Sequence, residues 1–491
     1  MRDDAIRRRL SEANPWWGAA LSNGSHTAWI VHDSLLQARL RYDLGYRSPL
    51  LDDLAADPVG DSLTLLQGPR SVGKSVLLRE LIATLCGRTD VDPRQIINLA
   101  CDGMTAQDLT RAIKLGRELT RSLDHFLPRP RVWLFDEITP IRDWTTALKH
   151  ARDASAFGAD TVIATGSSWR ANEDVEGNLL AGRPGTTRHR RLRQMFPMSF
   201  AEYVAATRPN LARPAAAIHP ADLQTATAAT VFESLRFAVD DYDLAWQAFL
   251  SSGGFPRAVH AMETSGRHDV GYVEDLHAWL RRDIDPDGPQ ESIPLLLDTL
   301  SSRATSPLHR ARTAADLGYG SKTTFERRLS RLVSSFAGLW CPQRDDRARV
   351  VAGTQAKLYL TDPIIAWIPH ILRAGAASPD FTAVTEQVIG VALARAIDGL
   401  EPGRWIGGDT IGYQRTGSGK EVDLAPVSVA TTAGPAVSVP IESKWVDHGW
   451  RREALTMGAK YGRGILATKT VLDLDQPTWA VPAPLVALVL G

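Results

Sequence analysis

The chain is short of several things. Its 491 residues include three cysteines, at 86, 101 and 341, too far apart for metal-ligand spacing and too few for a disulfide framework. Net charge is zero, with 56 basic residues against 56 acidic, so any nucleic-acid contact has to come from a local patch. No apolar run is long enough to span a membrane, which excludes a membrane partner; the longest, at 485–490, reads as a buried terminal strand. The start, MRDDAIRRRL, lacks the apolar core of a secretion signal, and with the scattered cysteines this gives the expectation of a cytoplasmic protein. Lysine is scarce too. Only nine of the 56 cations are lysine, so a lysine points to a place where a compact, titratable ammonium matters. Lys74, Lys444 and Lys460 all fall in motifs.

What is present begins with GPRSVGKS at 68–75, which fits G-x-x-x-x-G-K-[ST]. Strand formers at 63–66 lead in and an amphipathic helix from Ser75 to Leu85 leads out. In this setting Gly68, Pro69, Arg70, Ser71, Val72, Gly73, Lys74, Ser75 and Val76 form a candidate nucleotide cradle. The glycines let backbone N–H groups turn toward phosphates and the helix N-terminus adds its partial positive charge. Lys74 reaches the outer phosphates and Ser75 ligates Mg²⁺. VWLFDE at 132–137 then reads as a buried parallel strand with two carboxylates at its C-terminal end. Asp136 is expected to hold Mg²⁺ through water, and Glu137 to polarise the water that attacks ATP.

From 61 to about 200 strand and helix patterns alternate, with strands expected near Leu63, Ile96, Val132 and Thr161. The last, TVIATGSS, ends in Thr165, Ser167 and Ser168, beside the carboxylates; a serine there either senses the terminal phosphate or caps a helix. An arginine-rich run at 183–193 offers an arginine finger for a neighbouring subunit, hence a homo-oligomer, or else a solvated face. Residues 1–60 read as a helical lead-in whose NPWW at 14–17 either packs on the core or stacks on a base. Helical patterns across 207–285, interrupted by SSGGFP, suggest a small lid.

Residues 286–372 have the look of a winged helix. Ser321 caps a helix with Phe325, Leu329, Leu332 and Phe336 on one face and Arg327, Arg328 and Arg331 on the other. Between 302 and 350 there are ten basic residues against four acidic, which suits a duplex backbone; a packing module is the alternative. KLYLTDP at 357–363 closes the wing.

A linker at 373–380 precedes a further α/β unit, 376–491. Glu386 lies on an amphipathic helix, and a turn at 416–420 separates two strands that deliver Asp423 in mid-strand. The next strand, PIESK, puts Glu442 and Lys444 on one face. Asp423 and Glu442 would share Mg²⁺, Lys444 would orient the attacking water and Glu386 would assist, the set that phosphodiester hydrolysis needs. The spacing D-x18-ExK fits the PD-(D/E)XK pattern, although an ExK pair is also a common solvated strand face. Lys460 and Tyr461 suit a backbone-contacting position on the following helix.

In sequence order, NPWW, GPRSVGKS, VWLFDEI with Trp144 and Leu148, TGSS, AGR at 181–183, PMSFAEY, GGFP, KLYLTDP, EVDLAP and IESKW make the chain resemble one family. It is the bacterial and archaeal family of AAA-type ATPases fused to a C-terminal PD-(D/E)XK-like domain. The resemblance implies an α/β fold: a P-loop AAA-type parallel sheet at 61–206, a helical lid at 207–285, a winged helix-turn-helix at 286–372 and a nuclease-like α/β domain at 376–491. It implies ATP and Mg²⁺ as cofactors, duplex DNA as partner, Ser167 as phosphate sensor and Arg183 as finger. The implied activity is that of an ATP-regulated nuclease, some such fusions serving defence against foreign DNA. A DNA-binding regulator with an inactive nuclease fold is the alternative, since many members have lost the carboxylates that stand here.

Overall fold

The structure, a computed structural model, describes all residues except 22–24, 57–59, 61, 125–128, 154–159, 169–191 and 418. The chain divides into two units, Met1–Phe196 and Pro197–Gly491, so PMSFAEY opens the second unit.

In the first unit β1 (Ser62–Gln67), β2 (Ile96–Ala100), β3 (Val132–Asp136), β4 (Thr161–Gly166) and β5 (Leu192–Gln194) form one parallel sheet in the order β2-β3-β4-β1-β5. The four anticipated strands start within a residue of their expected positions. β5, at the end of the arginine-rich run, was not anticipated, because LRQ carries no apolar alternation. The central strands are apolar on both faces, as parallel strands between helices must be. One face packs Leu65, Leu99, Trp133 and Phe135 against Leu109, Ile113, Trp144 and Leu148. The helix Lys74–Cys86 buries Leu77, Leu78, Leu81, Ile82 and Leu85, with helices Ser34–Leu40 and Leu50–Ala56 packed on it.

NPWW seals the free edge of β2. Asn14 accepts from Asn98 N at 2.7 Å and donates to Asn98 O at 2.9 Å, as a neighbouring strand would. Both indole N–H groups, of Trp16 and Trp17, donate to Ile96 O. The tryptophans therefore pack on the sheet, as the first of the two sequence readings has it.

The second unit opens with helices, among them Phe200–Thr207, Val239–Ser252 and Val270–Ile284. Ser292–Ser301, Arg310–Asp316 and Lys322–Ser334 lead into the antiparallel hairpin of β6 (Gly338–Pro342) and β7 (Ala356–Leu360). After helices Pro363–Leu372 and Phe381–Leu400 come two short antiparallel pairs, β8 (Gln414–Arg415) with β9 (Glu421–Val422) and β10 (Ser428–Thr431) with β11 (Gly434–Val437). The parallel trio β12 (Ile441–Ser443), β13 (Gly464–Thr468) and β14 (Thr478–Pro482) follows.

Two expectations are corrected here. The terminal apolar stretch is a helix, Ala483–Leu490, with every residue buried. A run apolar on all sides fits a buried helix as well as a buried strand, and Pro484 in the first turn favours the helix. It packs among helices Phe200–Thr207, Val239–Ser252 and Phe381–Leu400. Asp423, expected in mid-strand, sits just past β9 in the bend before Leu424 bridges Ile441.

Three sequence marks meet at one buried joint. Asp362 of KLYLTDP accepts from Gly254 N of GGFP at 2.8 Å and from Ile364 N at 3.0 Å. Met198 N of PMSFAEY donates to Gly254 O at 2.8 Å, and a Cβ on Gly254 would lie 2.1 Å from Met198 O. These marks hold the fold of the second unit together.

Candidate functional sites: a phosphate loop and a buried carboxylate cluster

The loop after β1 turns through positive φ at Ser71 (62°) and Gly73 (106°), the latter capping the helix Lys74–Cys86. Gly68 is required by crowding, since a Cβ there would lie 2.1 Å from Met195 O. Lys74 is buried, its ammonium donating to Gly68 O at 2.9 Å and Pro69 O at 2.8 Å, so the loop holds its own lysine over the cradle. Ser75 follows in the first helical turn and Val76 after it.

The strand order puts β4 between β1 and β3, which brings the end of β4 to the carboxylates. Thr165 Oγ1 donates to Asp136 Oδ1 at 2.8 Å and accepts from Glu137 N at 2.8 Å. Ser167 Oγ donates to Glu137 Oε1 at 2.6 Å. Glu137 adopts φ 52°, a strained conformation for a residue with a side chain, and Thr165 is what pins it. Arg70 of the loop lies 3.8 Å from the Glu137 carboxylate. Lys74, Asp136, Glu137 and Ser167 thus come together at one edge of the sheet, while Arg183 lies outside the described residues. The Ser75 hydroxyl and Asp136 carboxylate are hard oxygen donors that suit Mg²⁺, and Thr165 occupies only one of the two Asp136 oxygens.

In the second unit the helix Phe381–Leu400 brings Glu386, the bend after β9 brings Asp423, and β12 brings Glu442 with Lys444 next but one. Lys444 Nζ is 2.8 Å from Glu442 Oε1 and 3.7 Å from Asp423 Oδ2. Backbone N–H groups fix the two acids: Asp423 N donates to Glu442 Oε2 and Ser443 N to Asp423 Oδ2, both at 3.1 Å. The four residues chosen from sequence therefore meet, and the shared face of Glu442 and Lys444 is as the strand period predicts.

Sequence reasoning missed the centre of this cluster. Lys357, on β7, donates to Asp423 Oδ1 at 2.7 Å and to Glu386 Oε1 at 2.9 Å. Tyr359, two residues on and so on the same face, donates to Glu386 Oε1 at 2.7 Å. The Lys357 side chain is 0% exposed, against 34% for Lys444. The signal available was lysine scarcity: Lys357 is one of the nine.

Electrostatics follow the geometry. Burial, then the negative charge of Asp423, raises Glu386 and Glu442 above the usual carboxylate range. Burial pushes Asp423 up as well, but Lys357 and Lys444 overcome it and hold this acid below its ordinary value. Burial works to lower Lys357, and the charges of Asp423 and Glu386 raise it instead. Among the described residues no group of three or more His, Cys, Asp or Glu is placed to hold a metal. Asp423 and Glu442 nonetheless offer the pair of carboxylates that Mg²⁺ takes together with water and phosphate oxygens.

The basic excess between 302 and 350 is largely spent inside the fold. Arg328 pairs with Asp285 at 2.7 Å, and Arg331 donates to Ile284 O at 3.1 Å, so these two do not form the solvated face read from the sequence. Arg303 pairs with Asp316 and Arg344 with Asp409. Arg312, Lys322 and Arg327 are exposed, though Lys322 lies 3.5 Å from Glu326. Lys460 binds Asp346 at 2.7 Å, and Tyr461 bonds Gln414.

Residues 61–204 match the family model described as an AAA domain. No curated protein matches the chain. Among solved structures the chain is similar to a Walker-type ATPase of Pyrococcus abyssi, at 16% identity over 66% of this chain and 95% of that one, TM-score 0.39. It is similar to ORC1 of Aeropyrum pernix in complex with DNA, at 14% identity over 73% and 95%, TM-score 0.29. A RuvB variant of Thermotoga maritima gives 16% identity over 65% and 91%, TM-score 0.27. No helix among the described residues is long and apolar enough to cross a membrane. Residues 61–204 carry the five-stranded parallel α/β sheet of the P-loop AAA type, and in this region the chain is similar to AAA-type ATPases.

Proposed function

We propose that the chain is an ATP-hydrolysing, Mg²⁺-dependent protein that processes DNA, its ATPase regulating a nuclease site in the second unit. The observation that carries this reading is the meeting of Asp423, Glu442 and Lys444 with both acids seated on backbone N–H groups. In the first unit Lys74 and the loop N–H groups bind the phosphates, and Glu137, oriented by Ser167 and Thr165, polarises water toward the terminal one. In the second unit the Lys444 ammonium, the more exposed of the two lysines, orients the nucleophile and offsets charge on the scissile phosphate. Mg²⁺, held by Ser75 and Asp136 in one site and by Asp423 and Glu442 in the other, supplies neutralisation of phosphate oxygens when bound. The helices Arg310–Asp316 and Lys322–Ser334 with the β6–β7 hairpin serve as a winged helix on duplex DNA, through exposed Arg312 and Arg327. Arg183 acts as finger between copies in a cytoplasmic homo-oligomer.

The experiment incubates supercoiled plasmid with the protein, ATP and Mg²⁺, comparing wild type with Lys444→Ala. Cleavage by wild type alone supports the reading, and equal cleavage by both sinks it. A second reading, a nucleotide-switched DNA-binding protein with an inactive nuclease fold, is favoured by one observation: Lys357 already neutralises Asp423 and Glu386. It predicts ATP-dependent, salt-sensitive DNA retention with no cut product.

A further inference from the structure

Three carboxylates and two ammonium groups share the second-unit cluster, but the two lysines are not equivalent. Lys357 comes from inside a strand, is closed off from solvent, and stands between Asp423 Oδ1 and Glu386 Oε1. Lys444 lies just after β12, is a third exposed, and faces the opposite oxygen of Asp423 together with Glu442. Lys444 can therefore swing aside while Lys357 cannot. The space between Asp423 and Glu386 is where a second divalent ion would have to sit, and a fixed cation fills it. Two cations within about 4 Å at low dielectric repel by several kcal/mol, so they do not share that space.

We infer that Lys357 is a built-in counter-ion that takes the place of a second metal, so that the cluster accepts one divalent cation only, on Asp423 and Glu442. This rests on the divalent-site reading above. Glu386 then serves as the anchor of Lys357, held in turn by Tyr359, and not as a metal ligand. Lys357 is a positioning residue: it touches neither substrate nor metal, and it leaves Asp423 with one oxygen turned toward Glu442.

The test counts Mn²⁺ bound by the full chain without nucleotide, from the electron paramagnetic resonance signal of the free ion. An Asp136→Asn background silences the phosphate-loop site. The expected count is one, falling to zero with Glu442→Gln. Lys357→Met and Lys357→Gln, which remove the charge and in the second case keep a donor, should each raise the count to two. Adding Glu386→Gln should return it to one. Two ions in the background, or one in both Lys357 variants when folded, would overturn the inference and leave the divalent-site reading intact. No ion in the background would instead overturn that reading and the inference with it. If neither Lys357 variant folds, the background count decides, two ions overturning the inference and one supporting it.

Discussion

Ser167 Oγ donates to Glu137 Oε1 at 2.6 Å, so the residue closing β4 aims the carboxylate that ends β3. A bond to a charged acceptor of this kind contributes about 1.5–3 kcal/mol. Ser167→Ala should therefore lower kcat for ATP by roughly 10- to 100-fold. KM should change little, because the phosphates are held by the loop and Lys74. A steady-state titration of ATP checks this; a raised KM with unchanged kcat would place Ser167 in binding instead.

Gly68 has no room for a side chain. Gly68→Ala would drive a methyl to within 2.1 Å of Met195 O, against the strand pair β1–β5. The expected outcome is a loss of about 1–3 kcal/mol in stability, together with weaker nucleotide binding. Urea denaturation and a fluorescent nucleotide titration measure both.

Arg327 and Arg328, adjacent in sequence, should behave differently. Arg327 is exposed, so Arg327→Ala should weaken duplex binding and lower the salt slope by about 1. Arg328 pairs with Asp285 and lies 4.3 Å from the Tyr319 ring centroid. Arg328→Ala should cost roughly 2 kcal/mol of stability by leaving Asp285 unpaired, with the salt slope unchanged.

The three cysteines are buried, and burial pushes the Cys86 and Cys341 thiols up to about 12 and Cys101 further still. At pH 8 these thiols stay protonated in the fold, so an aromatic disulfide reagent should react with none of them in native protein. All three should react in denaturant. Fast reaction of even one in native protein would contradict the packing.

Much of this was legible in the sequence because it is local. A phosphate loop declares itself by spacing, and four strands by apolar runs between turns. What was not legible depends on partners distant along the chain. The order β2-β3-β4-β1-β5 leaves no mark in any one strand, and β5 is three residues with no apolar alternation. The helix Ala483–Leu490 is apolar all round and carries no period to separate helix from strand. Arg328 and Arg331 look solvated by helical spacing, yet they reach Asp285 and Ile284 some 43 and 47 residues away. Lys357 is the clearest case. Its neighbours mark it only as part of a buried strand, and its role is set by Glu386 and Asp423, 29 and 66 residues on.

The central claim is that ATP hydrolysis in one unit serves work on DNA by the other. It is tested most directly by following phosphate release with and without supercoiled duplex DNA, with Lys74→Ala as the blank, and running the same DNA on a gel. The account predicts that DNA speeds ATP turnover and that the plasmid is nicked or linearised only when ATP and Mg²⁺ are present. Turnover indifferent to DNA, with the plasmid still supercoiled, would contradict it.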